Sequence, residues 1–442
     1  MTGKFYLFSQ WLKNHRIEIS IFFLAFGTRF LYAVLVQIFF GSHGFIAYKD
    51  AEVLYLGGAN NFLEHSVFSI NSFPPYLPDV YRTPLYTFFV ASFLWLKLPF
   101  FGIIATQNFL AGIISILVYR IGQLLFSSKR VGLLAAVATS LEPLSIYWNN
   151  LLMSDYLFTF FFILGCYKLF QKNYPVFGLL LGLATLVRPI GLYFFWILLL
   201  AAIINEFWGQ GNLFKLSWRK FLLAMILFII VLFPWMARNK ILFDTWQLSS
   251  AFWYNLYLRP MNEFVQTQGF SLPMPIAPSD YPNPETFIYS FQSVAFYKQQ
   301  FMEIFKKYPL QYSQFHLGLS VKSLLANQYN YLANYVLRPE LPALFYGGRN
   351  KLIMAAVAIG GLAWSLLYLL MFLSFLHRSS RVFLAAFLVI LALVALSLGV
   401  LGGGKDADMS RYLLPLAPFV FLFAGSGIKD FYLRLKRTAA GN

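Results

Sequence analysis

A few carboxylates and guanidiniums are the groups in this chain whose chemistry stands out. Asp50 and Glu52 lie in Tyr48-Lys-Asp-Ala-Glu-Val-Leu-Tyr55, and Asp155 closes Tyr147-Trp-Asn-Asn-Leu-Leu-Met-Ser-Asp155. A carboxylate near an apolar boundary can take a proton from a hydroxyl as a general base. Each has a structural reading too: a solvated loop charge for Asp50, and a helix start at Ser154 or Asp155. Arg82 in Tyr81-Arg-Thr-Pro84, Arg188 before Pro189, and Arg411 in Arg411-Tyr-Leu-Leu-Pro415 suit phosphate oxygens, which a planar guanidinium meets through two parallel hydrogen bonds. The alternative for each is anchoring at a membrane interface. Lys405 follows Gly402-Gly-Gly404, a flexible loop lacking the helix that a phosphate loop needs. Glu64 and His65 are adjacent potential metal ligands, but their spacing fits no metal motif, so no metal site is predicted.

The elements that must position these groups are apolar. The 442 residues are 59% hydrophobic and only 12% charged, about half the charge of an ordinary soluble domain. The expected spans are 17–40, 103–126, 131–148, 156–171, 175–187, 190–206, 219–237, 351–376, 381–401 and 412–428. The net charge of +17 invites a nucleic-acid reading, but the basic residues sit in short clusters between apolar runs, as the positive-inside rule produces. Placing Lys4/Lys13/Arg16, Lys129/Arg130, Lys168/Lys172, Lys215/Arg219/Lys220, Arg378/Arg381 and Lys429/Arg434/Lys436/Arg437 on one side needs an even number of spans between neighbours, which this set gives. Both termini are then cytoplasmic. All acidic residues but Glu18, Glu206 and Asp430 fall outside or in the outer half, with the candidate site residues. Segment 85–99 is short and bounded by Pro84 and Pro99. Counting it as a span would reverse everything after it, so it reads as an interfacial or re-entrant helix.

The fold expected is an all-α polytopic membrane protein. Residues 1–237 form an N-terminal catalytic transmembrane module with outer loop 41–84. Residues 238–350 form a large extracytoplasmic loop, and 351–442 the C-terminal transmembrane helices. Residues 48–63 read as a short helix just outside the first span. The large loop begins irregularly, passes the extended Pro273–Pro284 connector, and continues in interfacial helices over 285–308 and 310–336. Inside the spans, Arg29 and Glu142 lie at matched depth and are expected to pair. The absence of an Asn-X-Ser/Thr sequon gives no hint of glycosylation in an endoplasmic reticulum, so a bacterial inner membrane is the better expectation.

The order of short motifs resembles the C-type glycosyltransferase (GT-C) superfamily, specifically bacterial relatives of the dolichyl-phosphate-mannose protein mannosyltransferases. The transferase that adds aminoarabinose to lipid A is a related member. The pieces are Asp50-Ala-Glu52, Arg82-Thr-Pro-Leu-Tyr86, Leu124-Leu-Phe-Ser-Ser-Lys-Arg130, Met153-Ser-Asp155, Gly182-Leu-Ala-Thr-Leu-Val-Arg-Pro189, Pro234-Trp-Met-Ala-Arg-Asn239 and Arg411-Tyr-Leu-Leu-Pro415. The likeness covers most of the chain and is weakest over 255–400. It implies a GT-C-like helix bundle and an inverting transfer, on the outer face, from a polyprenyl-phosphate sugar to a lipid, glycan or protein acceptor. Asp50 and Asp155 would be the catalytic carboxylates, with Glu52 and Tyr412 in support. Many relatives carry adjacent acidic residues where this chain has Asp50-Ala-Glu52, which favours Asp50 over Glu52. Arg188, Arg411, Arg82 and Lys405 would hold the donor phosphate. No cofactor is certain from the sequence, a divalent metal stays open, and no nucleic-acid partner is expected. The rival readings are a lipid or glycan transporter or flippase, and a polysaccharide polymerase or ligase.

Overall fold

The computed structural model describes residues 12–46, 50–211, 217–325, 349–375 and 413–440, with Gln10 and Arg411. Among them every regular element is a helix. After α1 (Arg16–Phe40) comes a π-helix (Asp50–Gly57) that runs into α2 (Gly58–His65). The bundle continues with α3 (Leu85–Trp95), α4 (Phe100–Phe126), α5 (Lys129–Leu141), α6 (Pro143–Asn149), α7 (Asp155–Phe170), α8 (Tyr174–Val187), α9 (Gly191–Gln210) and α10 (Trp218–Phe243). Helices α1, α4, α9 and α10 are long and apolar enough to cross a membrane, and the bent pair α5–α6 makes a fifth if it is one span. The later part holds α11 (Ala251–Leu256), a π-helix (Tyr257–Met261), α12 (Asn262–Thr267), α13 (Pro284–Phe287), α14 (Phe291–Lys307), α15 (Pro309–Leu325), α16 (Arg349–Phe375) and α17 (Ala417–Ala440). The expected span 381–401 lies outside the described residues.

Contacts between helix ends fix the direction of each helix. At one end of the bundle, Arg120 of α4 donates to Glu18 of α1 at 2.9 Å. There too, Tyr174 and Ser217 both donate to Glu206 of α9, at 3.3 and 2.8 Å. At the other end, Leu152 N donates to Phe45 O, and Gln107 donates to the carbonyls of Asn149 and Leu151. Helices α1, α4, α8, α9 and α10 therefore alternate in direction between these two ends. Lys129, Arg130, Lys168, Lys172, Arg219 and Lys220 flank the first end; Asp155, Arg188 and Arg82 gather at the second. Helix α3 does not run from end to end. Its 11 residues rise about 16 Å. Tyr86 at its start bonds Gln107, and Phe93 near its finish packs beside Gly102, both close to the start of α4.

The expected single span 131–148 is broken. Pro143 has no N–H for Thr139 O, and its ring would crowd that carbonyl, so α5 stops and α6 leaves at 56°. The break opens two helix ends, and two charges serve them. Arg29 donates to the freed carbonyls of Ser140 at 2.7 Å and Thr139 at 3.0 Å, and to Ser145 Oγ at 2.8 Å. Glu142 is the N-cap of α6, accepting from Ser145 N. The expected direct pair of Arg29 with Glu142 is thus replaced. The cation sits at the negative end of one helix dipole and the anion at the positive end of the next.

Close helix contacts rest on small residues. A side chain at Gly178 of α8 would collide with the backbone of Ala224 in α10, and one at Gly122 of α4 with Gly132 of α5. One large core then runs from Tyr55 to Phe423 through α3–α10 and α17. A second core of Tyr257, Met261, Phe264, Val265, Tyr297 and Tyr312 belongs to the large loop. That loop is helical over 251–267, where an irregular start was expected. The 273–284 connector is extended, and α14 and α15 form where surface helices were expected.

Candidate functional site

Asp155 opens α7 because the preceding turn, Asn150–Ser154, ends one helix and starts the next. A carboxylate in the first turn suits the helix dipole. Ser154 supplies no side-chain cap; its hydroxyl instead shares a 2.9 Å hydrogen bond with Tyr55 OH. Arg188 precedes Pro189, which forces it out of the helical region into extended backbone (φ −145°, ψ 128°). It thereby leaves the end of α8 and reaches Asp155. Gly191 permits the return into α9, because any side chain there would strike the backbone of Thr185.

Three residues far apart in sequence meet here. Arg188 Nη1 donates to Asp155 Oδ1, and Arg411 donates to Asp155 Oδ2 from Nη2 at 3.2 Å and Nε at 3.4 Å. Asp155 and Arg411 are almost wholly buried, and Arg188 is 14% exposed. The Arg411 guanidinium lies 5.3 Å from the centre of the Trp148 ring, a cation–π distance. A carboxylate with two guanidiniums at hydrogen-bonding distance is engaged on both oxygens. It is built to orient cations rather than to collect a proton.

Arg82 lies one step away. Its Nη1 is 3.5 Å from Tyr55 OH, and its guanidinium lies over the rings of Tyr81 and Tyr55. Tyr55 thus links Arg82 to the Ser154–Asp155 turn. The backbone of Asp50 lies one π turn before Tyr55 on the same helix. The side chains of Asp50 and Glu52, and the residues Lys405 and Tyr412, lie outside the described residues. Glu64 and His65 approach to 3.9 Å, and the His65 ring stacks on Tyr76. Among the described residues no group of three or more metal-ligating side chains comes together.

Sequence reasoning passed over the buried amides that hold this end of the bundle. Gln107 ties α4 to the turn before Asp155 and takes a 2.7 Å bond from Tyr86. Asn108 meets Asn149 and Asn150. Two adjacent amides inside an apolar span were the available signal. The Pro234–Asn239 motif has a positioning role. Arg238 donates to Asp79 O at 2.9 Å and lies 4.4 Å from the Trp235 ring centre, while Asn239 donates to Gln247 O at 2.8 Å. No protein-family model matches the chain, and no curated protein matches it.

Proposed function

We propose that the chain is a membrane glycosyltransferase. It moves a sugar from a polyprenyl-phosphate donor to a hydroxyl acceptor on the extracytoplasmic side, with inversion. The observation that carries this reading is the buried convergence of Arg188, Arg411 and Asp155. With all three ionised, the cluster keeps one net positive charge where little solvent can screen it, a fitting counter-charge for a phosphodiester. In the reaction the acceptor oxygen attacks the anomeric carbon. The bond from that carbon to the phosphate oxygen breaks with its electron pair on the phosphate, and the acceptor proton passes to Asp50. Asp155 orients the two guanidiniums on the leaving phosphate. The resemblance of the ordered motifs supports the same reading. A transporter would be favoured by ionisable groups deep in the bundle, but Arg29 and Glu142 are accounted for by the helix break. The test is incubation of the purified protein with a panel of polyprenyl-phosphate sugars, measuring released polyprenyl phosphate. Release that is lost in Arg188→Ala and Arg411→Ala is expected; no release from any donor would sink the proposal.

A further inference from the structure

A cleft of about 420 Å³ opens where the first loop, the end of α10 and the segment before α14 meet. Its size is that of a small-molecule site. Three ties hold its walls: Ser250 N to Val80 O at 3.0 Å, Ser250 Oγ to Tyr289 O at 2.5 Å, and Arg238 to Asp79 O at 2.9 Å. The lining combines the carboxyl of Asp79, amides such as Asn71 and Gln247, the hydroxyl of Ser290, and the rings of Tyr281 and Tyr289. Among the described residues that line it there is no lysine, arginine or histidine.

That lining selects a chemistry. With a carboxyl and no lysine, arginine or histidine in the lining, it favours an uncharged ligand over a phosphate or carboxylate. Hydroxyls and amides can exchange hydrogen bonds with a polyol, and aromatic faces cover the C–H face of a sugar ring. Asp79 is 5% exposed, and its two oxygens accept from Tyr81 N at 2.9 Å and Arg82 N at 3.2 Å. Each oxygen keeps a lone pair for a further donor. Asn71 is 3% exposed, and its Oδ1 has no hydrogen-bond partner among the described residues although Nδ2 holds Pro75 O at 2.9 Å. Desolvation also pushes the Asp79 carboxyl above its usual range, which suits a hydroxyl partner.

We propose that this cleft binds a neutral glycan, the sugar portion of the acceptor. Arg82 connects it to the site above. Its backbone N–H is held by the Asp79 carboxyl, while its side chain leans on Tyr55 beside Ser154. The acceptor role rests on the transferase reading; the binding itself does not.

The test uses the full chain in a detergent without a sugar headgroup, with saturation-transfer NMR. The probes are free neutral di- and trisaccharides of hexoses, deoxyhexoses and N-acetylhexosamines, and a hexuronic acid disaccharide. At least one neutral member should bind. Its affinity should fall about tenfold in Q247A/Q292A, which removes the exposed lining amides of Gln247 and of Gln292 in the first turn of α14. Arg188→Ala should leave this binding unchanged. Absence of any neutral binder, binding that survives the cleft variants, or preference for the acidic sugar would overturn the proposal. Cleft-dependent binding without donor turnover would remove the transferase reading and leave the cleft. Donor turnover without neutral-sugar binding would do the reverse.

Discussion

Asp155 and Asp50 are both carboxylates at one end of the bundle, yet they are expected to fail differently when altered. Asp155 holds Arg188 and Arg411, so on the transferase reading proposed above Asp155→Asn should loosen their hold on the donor phosphate. Donor KM should rise by about 10- to 100-fold, the equivalent of one or two charge-assisted hydrogen bonds, with a smaller change in kcat. Asp50→Asn should lower kcat by about 100- to 10,000-fold with donor KM nearly unchanged. Steady-state kinetics on both variants separates the roles; equal kcat losses with no KM effect in Asp155→Asn would count against its orienting role. Arg188→Lys should recover little, since an ammonium cannot reproduce the planar fork. The residues of this cluster were legible in the sequence because each marks a break: Ser154-Asp155, Arg188-Pro189 and Arg411 before Pro415. Their mutual pairing was not legible, because it depends on which helix ends meet in space.

Among the elements, α5 and α6 show how far sequence reading reaches. The matched depths of Arg29 and Glu142 were visible by counting residues. The use of these charges was not, because Pro143 turns one span into two helix ends that each need a partner. The signal was Glu142-Pro143 itself, an N-cap followed by proline at the first helical position. Arg29→Gln leaves the carbonyls of Thr139 and Ser140 short of donors in a buried place. A cost of about 2–4 kcal/mol is expected. Glu142→Ala should cost less, about 1 kcal/mol, as the loss of one cap. Thermal unfolding in detergent measures both, and a larger loss in Glu142→Ala would refute the capping assignment. Helix contacts give a second expectation. Gly178→Val should separate α8 from α10 and move Arg188 off Asp155, lowering both stability and donor affinity.

At the scale of the whole molecule, the two cores are expected to respond differently to pH. The main core joins helices from one end of the bundle to the other. The aromatic core of the large loop is smaller and meets the first loop at Tyr81, whose ring packs on Tyr254 and Tyr289 and whose hydroxyl lies 3.5 Å from Asn255 Oδ1. Small cooperative units open before the global fold does. His316 gives the loop core a pH dependence. It lies against Tyr312, with Nδ1 3.0 Å from the hydroxyl, and burial lowers its pKa below the ordinary 6.5. A depressed histidine contributes stability that is fully present above pH 6.5 and is lost as pH falls through the folded value, because the unfolded loop binds the proton more readily. Hydrogen exchange over 257–316 should therefore quicken as pH falls below about 6.5, after correction for intrinsic rates, while α4 and α7 stay protected. His316→Phe keeps the edge-on ring contact and removes the titration, so it should flatten this response. A pH response as steep in His316→Phe as in the unmodified protein would place the proton elsewhere. The same opening would loosen α14, whose N-cap Ser290 lines the cleft. Neutral-glycan binding should therefore weaken in parallel with protection, and His316→Phe should preserve it at the lower pH.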